Sequence, residues 1–185
     1  FSIAGDISDE ASVKDIFDAM EGELGGIDGL VNCAGLVEPP CPTRDQKLTD
    51  WRRVIDVNLQ GVYLASREAA RRMNEGGSIV NVASIAGMGA FIGSNSYSVS
   101  KAAVIMLTKT LATDLARDRI RVNAVAPGLI DAPMAHVIIH GDPVISERMR
   151  ARIPLGRFGS PEEIAAPVVF LLSGMASYVS GAILP

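Results

Sequence analysis

The stretch SIVNVASIAGMGAFIGSNSYSVSK, residues 78–101, decides the fold of this chain. Its first part, Ser78–Ser84, is short, apolar and rich in residues that favour strands, which predicts a strand buried on both faces. A turn follows, and from about Tyr97 to Arg117 the chain has neither Gly nor Pro, which predicts a long helix. A buried strand followed by a long helix is typical of a parallel α/β sheet.

The same stretch carries three polar side chains that can act together on one oxygen atom. Tyr97 and Lys101 are spaced i, i+4, so a helix places them on one face. An ammonium beside the phenol favours the phenolate, and we expect the Tyr97 pKa to fall from about 10 toward neutrality. Such a tyrosine transfers a proton to or from an alcohol or carbonyl oxygen, which Ser84 can also hydrogen-bond. Because a Tyr-x-x-x-Lys pair alone is more often a solvated surface pair, the serine that ends the preceding strand gives the pattern its weight.

Short strands and longer helices alternate outward from this stretch. We expect strands over residues 1–4, 29–32, 78–84, 121–126 and from 181 onward, and helices over residues 8–24, 49–73, 97–117 and from 160 onward. Thr49 or Asp50 is the expected N-cap of the helix over 49–73, and Ser160 begins a capping box with Pro161 at the first helical position. This order predicts a doubly wound, Rossmann-like parallel sheet with helices on both faces, a three-layer αβα fold in which residues 1–185 form a single domain.

Polar or turn-forming residues stand where three of the predicted strands end. Asn32, Ser84 and the pair Pro127-Gly128 each follow a short apolar run. Ligands of parallel α/β sheets bind beyond the carboxyl ends of the strands. We therefore expect these positions to converge on one cleft.

The composition excludes several classes of function. The chain has 185 residues, of which 48% are hydrophobic, with a net charge of -4 and a mean hydropathy of +0.27. No uninterrupted apolar run approaches the roughly 20 residues of a membrane span, and no Lys/Arg cluster with interleaved aromatics points to nucleic acid. We therefore expect a small-molecule substrate, with neither a membrane nor a nucleic acid as partner.

The cysteines and histidines give no clear metal-binding pattern. Cys33 and Cys41 lack zinc-type spacing and favour a reducing, cytoplasmic location. His136 and His140 are spaced i, i+4, which suits two metal ligands on a helix, but no plausible third ligand is evident nearby in the sequence. We therefore predict no metal site and expect both histidines to line or cover the cleft.

Together the motifs resemble the short-chain dehydrogenase/reductase family in its Tyr-x-x-x-Lys type, from Asp6 to Ala182 of this chain. The resemblance implies a catalytic tetrad of Asn58, Ser84, Tyr97 and Lys101. Tyr97 would then transfer the proton between a secondary alcohol and a ketone, and Lys101 would also bind the nicotinamide ribose. Asn58 would hold a water of a proton relay, although in isolation a mid-helix asparagine is read as satisfied by a local hydrogen bond.

The resemblance also implies NAD or NADP as the cofactor. Its expected binding residues come from strand ends and from the tetrad: Asp6, Ile7, Asn32, Ala34, Gly35, Tyr97, Lys101, Pro127, Gly128 and Ile130. By the resemblance, Asp6 contacts the adenine and the Ile130 backbone contacts the nicotinamide carboxamide. The turn at residues 32–35, with Cys33 where relatives have asparagine, brings main chain against the cofactor. Ala132 stands where many relatives have threonine, which removes one hydroxyl contact.

Both ends of the sequence depart from the family pattern. The family's opening strand and its Gly-x-x-x-Gly-x-Gly turn, which receives the pyrophosphate at a helix N-terminus, have no counterpart in residues 1–185. Phe1 is expected to fall within the third strand of the fold and Leu184 within the last. We therefore expect an internal part of a longer chain that lacks the first βαβ unit. The alternative is a truncated product that cannot hold a dinucleotide.

The resemblance also implies which residues contact the substrate and how the chain assembles. Ser84, Ala86, Ile92 and Met134 are expected to touch the substrate, and residues 131–152 to cover the cleft. The choice between NAD and NADP is made in the family near the end of its second strand, outside these residues. The two long helices resemble the pair at the family's dimer interface, so a homotetramer or homodimer is expected by analogy.

Three functions stay open on the sequence alone. The leading one is an NAD(P)-dependent oxidoreductase that acts on CH–OH groups. Sugar-nucleotide epimerases and dehydratases use a similar Tyr and Lys pair on a longer chain, whereas the i, i+4 spacing disfavours enoyl reductases. The third is a non-catalytic fragment or scaffold, which binding of a nicotinamide cofactor would exclude.

Overall fold

A parallel sheet of four strands forms the centre of the structure, a computed structural model that describes residues 1–185. The strands lie side by side in chain order: β1 (Ile27–Asn32), β2 (Met73–Val82), β3 (Arg121–Val125) and β4 (Ile183–Leu184). The register pairs Asn32 with Asn81, and Val82 with Val125, so neighbouring strands end at the same edge of the sheet. The predicted parallel, Rossmann-like α/β class is confirmed.

Helices cover both faces of this sheet. In chain order they are α1 (Glu10–Leu24), α2 (Leu48–Ile55), α3 (Gly61–Arg72), α4 (Asn95–Asp114), α5 (His136–Ile139), α6 (Pro143–Arg150) and α7 (Pro161–Leu172). On one face, Ile79 of β2 packs with buried residues of α1 and α3. On the other face, the next residue, Val80, packs with Leu171 of α7. Successive residues of a strand point to opposite faces, so a strand covered on both sides buries side chains on both, and most of them are apolar.

A buried chain of hydrogen bonds joins the sheet to α3 and α4. The Asn32 amide donates to Asn81 Oδ1 at 2.8 Å and to Ser66 Oγ at 3.0 Å, and the Asn81 amide donates to Thr108 Oγ1 at 2.9 Å. Buried polar groups cost free energy unless they are paired, and here each amide has a partner. The Asn32 side chain is therefore engaged inside the fold, so that only its main chain is left to face a ligand.

Several expected element boundaries are wrong at the start of the chain. Residues 1–4 form no strand, because β1 is an edge strand and no backbone ladder joins them to it. The first helix begins at Glu10 rather than Ser8, since the Asp6 carboxylate accepts hydrogen bonds from Ser8 N and Ser8 Oγ and holds that residue in a turn. Asp9 is the N-cap, and its carboxylate accepts from Ser12 N at 2.9 Å.

The helix expected over residues 49–73 is interrupted. A π-helical turn, Asp56–Gln60, separates α2 from α3. Neither Thr49 nor Asp50 is the N-cap of α2, because α2 begins directly after Lys47 and has no side-chain cap. The capping box of Ser160 and Glu163 at the start of α7 is confirmed. No helix has the length and apolar character needed to cross a bilayer.

Candidate active site

Ser84 lies just beyond the end of β2 and connects it to the segment that follows β3. Its hydroxyl accepts a hydrogen bond from Ala86 N at 3.1 Å and donates to the Pro127 carbonyl at 3.5 Å. The same carbonyl accepts from Ile85 N at 3.0 Å. The two strand ends are therefore held side by side, as the sequence predicted for Ser84 and Pro127.

Tyr97 and Lys101 project from the first turns of α4 toward this edge. Lys101 Nζ lies 5.7 Å from the centroid of the Tyr97 ring and donates to the Val82 carbonyl at 2.7 Å. Only 4% of Lys101 is exposed. Burial lowers the pKa of the Lys101 ammonium to about 8, while the nearby Cys33 acts in the opposite direction. The ammonium is thus a buried cation held at the end of β2.

The pKa of Tyr97 departs from the expected direction. Burial of the phenol raises its pKa above 10, and a hydrogen bond with Ser84 opposes that rise only in part. The expectation that the Tyr97 pKa falls is wrong for this structure, because burial of the phenol is the dominant effect. The phenol is therefore protonated at neutral pH.

Asn58 lies in the π-helical turn and connects three parts of the site. Its side chain is fully buried, accepts from Leu36 N at 2.7 Å and donates to the Leu36 carbonyl at 2.9 Å. It also donates to Ser100 Oγ at 3.1 Å, one residue before Lys101. A π-helical turn inside a longer helix is frequent at functional sites, because it redirects a side chain out of the regular ladder. Here it directs Asn58 at the turn after β1.

Gly35, in the turn after β1, lies next to both Asn58 and Lys101. A Cβ built on Gly35 would be 3.5 Å from Asn58 Oδ1, 3.7 Å from Lys101 Nζ and 3.9 Å from Met134 Cε. Ala34 beside it is exposed, so main chain is open to a ligand here. The structure thus brings four predicted site residues together around one point: Gly35, Asn58, Lys101 and Met134.

The other expected cofactor residues lie at the same edge of the sheet or next to α1. Gly128 lies beside Ile85, and Ile130 forms a backbone bridge with Gly159. The Asp6 carboxylate is exposed, and hydrogen bonds from Ser8 lower its pKa. The Ile7 side chain packs against Gly61, which leaves its main chain as the part that can meet a ligand.

One expected substrate-facing residue is not brought to this point: the Ile92 side chain is fully exposed. Ala86 contributes its backbone N–H to Ser84, and Met134 approaches Gly35 as described.

Gly87 positions the site but was not singled out by the motifs. A Cβ on Gly87 would lie 2.5 Å from the carbonyl carbon of Lys101 and 2.7 Å from Ala102 N, both backbone atoms of α4. Only glycine permits this approach. The one sequence signal for this role of Gly87 was its place in the turn between Ser84 and Tyr97.

We expect Gly87→Ala to displace α4 at Lys101 and to destabilise the protein by about 1–3 kcal/mol, because the added methyl meets a helix backbone that cannot yield locally. Urea denaturation measures the loss, and cofactor titration measures the damage to the site. Gly89→Ala is the matched control, since a Cβ there meets nothing within 4 Å. Equal stability of the two variants would contradict this role for Gly87.

The chain is similar to a known protein family, to named proteins and to solved structures. The family model described as "Enoyl-(Acyl carrier protein) reductase" matches residues 1–185. The chain is 44% identical over 182 residues to cis-4-hydroxycyclohexanecarboxylate dehydrogenase of Sinomonas cyclohexanicum, covering 97% of this chain and 72% of that protein. It is 41% identical to the 3-oxoacyl-[acyl-carrier-protein] reductase FabG of Aquifex aeolicus, covering 95% of this chain and 70% of that protein. The solved structure of an NAD+-bound xylitol dehydrogenase superposes with a TM-score of 0.93 at 33% identity, covering 100% of this chain and 76% of that one.

Proposed function

The chain belongs to the short-chain dehydrogenase/reductase family of CH–OH oxidoreductases, and we propose that it interconverts a secondary alcohol and a ketone with Tyr97 as the general acid and base. One observation carries the proposal: the buried Lys101 ammonium lies 5.7 Å from the centroid of the Tyr97 ring, at the carboxyl edge of a parallel sheet where Ser84 also lies. This is where α/β folds bind their ligands.

The residues at this edge fit the nicotinamide and ribose end of a dinucleotide. Gly35 has no side chain to fill the space beside Lys101, and the exposed main chain at Ala34 can lie against a flat ring. Lys101 offers a buried cation for ribose hydroxyls, while Pro127, Gly128 and Ile130 follow β3 at the same edge. A nicotinamide dinucleotide, NAD or NADP, supplies the hydride transfer that no side chain can perform.

Tyr97 would donate the proton to the substrate oxygen or accept it, depending on the direction of the reaction. For ketone reduction, its hydroxyl donates a proton to the substrate oxygen, and for alcohol oxidation the phenolate accepts one. The raised pKa keeps Tyr97 protonated at neutral pH, so the protonated form needed for reduction is the resting form. Ser84 orients the substrate oxygen by hydrogen bonding, and its contact with Pro127 fixes that orientation.

Asn58 and Lys101 would support proton transfer without contacting the reacting oxygen. The Asn58 side chain is hydrogen-bonded to Leu36 and Ser100, and these bonds fix the turn after β1 against α4. Lys101 Nζ is held by the Val82 carbonyl and carries two further protons that can be shared with a water or a ribose hydroxyl. We propose that a water held near Asn58 links this ammonium to solvent.

The substrate class is proposed from the named relatives and the residues at the site. The names of the two sequence relatives give one substrate with a hydroxyl group on a cyclohexane ring and one with an oxo group on an acyl chain held by a carrier protein. Met134 supplies an apolar contact next to Gly35, which suits a moderately apolar secondary alcohol or ketone. Ser84 and Ala86 would face the reacting oxygen.

We also propose that residues 1–185 act as one domain and assemble as a homotetramer or homodimer through α3 and α4. Exposed apolar side chains on those helices, Tyr63, Val99 and Met106, support such an interface. The free thiols of Cys33 and Cys41 support a reducing, cytoplasmic location.

Fluorescence titration with NADH and NADPH, on protein whose intact mass has been measured, tests the proposed function. We expect saturable binding of at least one of the two, followed by turnover of a panel of secondary alcohols and ketones. The difference between the two affinities gives the cofactor preference. Binding of neither would contradict the oxidoreductase proposal and favour the non-catalytic alternative.

A further inference from the structure

Three metal-ligating side chains outside the proposed catalytic group converge on the segment that follows Ile130. The ligand atoms of Asp131, His136 and His140 all lie within 4.8 Å of one another. His140 Nε2 is 2.7 Å from Asp131 Oδ1, and the two imidazole centroids are 4.7 Å apart in an edge-to-face arrangement. Asp131 is the third ligand that spacing along the sequence did not reveal.

We propose that Asp131, His136 and His140 bind one Zn2+ ion. Two imidazoles and a carboxylate are a common ligand set for Zn2+, with a fourth position left for water. At Zn–N and Zn–O distances of about 2.0–2.2 Å, tetrahedral ligands lie about 3.3 Å apart, so the three side chains need to move by little more than an ångström. All three are exposed, and such a shift is within the range of their side-chain rotation.

Neighbouring charges leave these ligands available. Arg157, next to the Gly159 backbone that pairs with Asp131, donates to both oxygens of Glu163 at 2.7 Å and 2.6 Å. The Asp142 carboxylate caps α6 by accepting from Val144 N at 2.8 Å. Neither group competes for the three ligands. The mixture of imidazole and carboxylate favours Zn2+ over Mg2+ or Ca2+, which prefer oxygen ligands alone.

The site would pin the segment that carries Met134. Asp131 is anchored to the body of the fold, since its N–H donates to the Gly159 carbonyl at 2.8 Å. His136 begins α5 and His140 is its C-cap, and the four residues of α5 are too few for a helix to persist without other contacts. A cation shared between Asp131 and α5 would therefore fix the intervening residues against Gly35.

Equilibrium dialysis of the untagged protein against ZnCl2, without cofactor or substrate, tests the proposal independently of the proposed function. We expect one Zn2+ per chain. Loss of a group that only hydrogen-bonds a ligand already weakens metal sites about 10–100-fold, so Asp131→Asn and the double variant His136→Ala/His140→Ala should each weaken binding by at least about a hundredfold. These two histidines are the only ones in the chain, and because they are exposed the variants should fold as the wild type does, which a thermal melt checks.

The control variant is Cys33→Ser/Cys41→Ser, which removes both thiols and should bind Zn2+ as the wild type does. Wild-type affinity in the double histidine variant, or loss of binding only in the cysteine variant, would overturn the site. Backbone hydrogen exchange over residues 131–140 should slow when Zn2+ is added. Binding without slower exchange would overturn the pinning role.

Discussion

Tyr97→Phe is expected to lower kcat/KM by about 10²–10⁴-fold, the range that a positioned general acid or base contributes. The variant keeps the ring that packs beside Lys101 and removes only the hydroxyl that is proposed to transfer the proton. Affinity for the nicotinamide cofactor should stay within a few-fold of wild type, because Lys101 and the turn at Gly35 are untouched. Steady-state kinetics and fluorescence titration measure the two effects separately.

Tyr178→Phe is the matched control for this variant. Its side chain is fully exposed, so loss of its hydroxyl should change neither turnover nor stability. The free energy of unfolding of Tyr97→Phe should stay within about 1 kcal/mol of the wild-type value, since the variant loses at most one hydrogen bond. Near-normal turnover in Tyr97→Phe would remove the tyrosine from the mechanism, whatever else binds at this edge.

Lys101→Met is expected to stabilise the protein at pH 7 while it impairs catalysis. The pKa of Lys101 in the fold is about 8, against 10.5 for an ordinary lysine, so burial of the ammonium costs about 3 kcal/mol at neutral pH. Methionine fills a similar volume without charge, although the Val82 carbonyl loses its bond at a cost of about 1 kcal/mol. We expect a net gain of about 1–3 kcal/mol in urea denaturation, together with a loss of activity of at least about tenfold.

The pH dependence of this difference has a defined sign. A lysine whose pKa is lower in the fold than in the unfolded chain destabilises fully below the folded value of about 8. That penalty declines as the pH rises from about 8 toward 10.5, where the unfolded chain also loses its proton. The advantage of Lys101→Met over wild type should therefore shrink across this window.

Lys109→Met, on the exposed side of the same helix, is the control, and it should change stability by less than about 0.5 kcal/mol. A Lys101→Met protein that is less stable than wild type at pH 7 would show that the ammonium is not under a desolvation penalty. Unchanged activity would show that the buried cation has no part in the chemistry.

The strand ends that form the site were predictable, and the reasons are general. Short runs such as 79–83 are apolar except for the internally hydrogen-bonded Asn81, because both faces of the strand are covered, and neighbouring parallel strands end at one edge. That geometry brings Ser84 next to Pro127 without any knowledge of side-chain contacts. The i, i+4 spacing likewise fixes Tyr97 and Lys101 on one face of α4.

Local patterns failed where contacts between distant segments decide the outcome. The interruption of the helix at Asp56–Gln60 leaves no clear mark in the sequence, and it redirects Asn58 to Leu36. Gly87 is indistinguishable from other turn glycines until α4 is placed against it. The Tyr97 pKa is set chiefly by burial of the phenol, which the motif does not contain.

The sequence by itself determined the parallel α/β sheet, the order of its elements and the identities of the polar residues at the strand ends. These depend on periodicity and on chain order, which are local properties. Only the tertiary structure decided which of those residues meet at one point, how the charges of Lys101 and Tyr97 respond, and that Asp131 approaches the two histidines. Distances and desolvation are properties of packed neighbours, which are distant in the sequence.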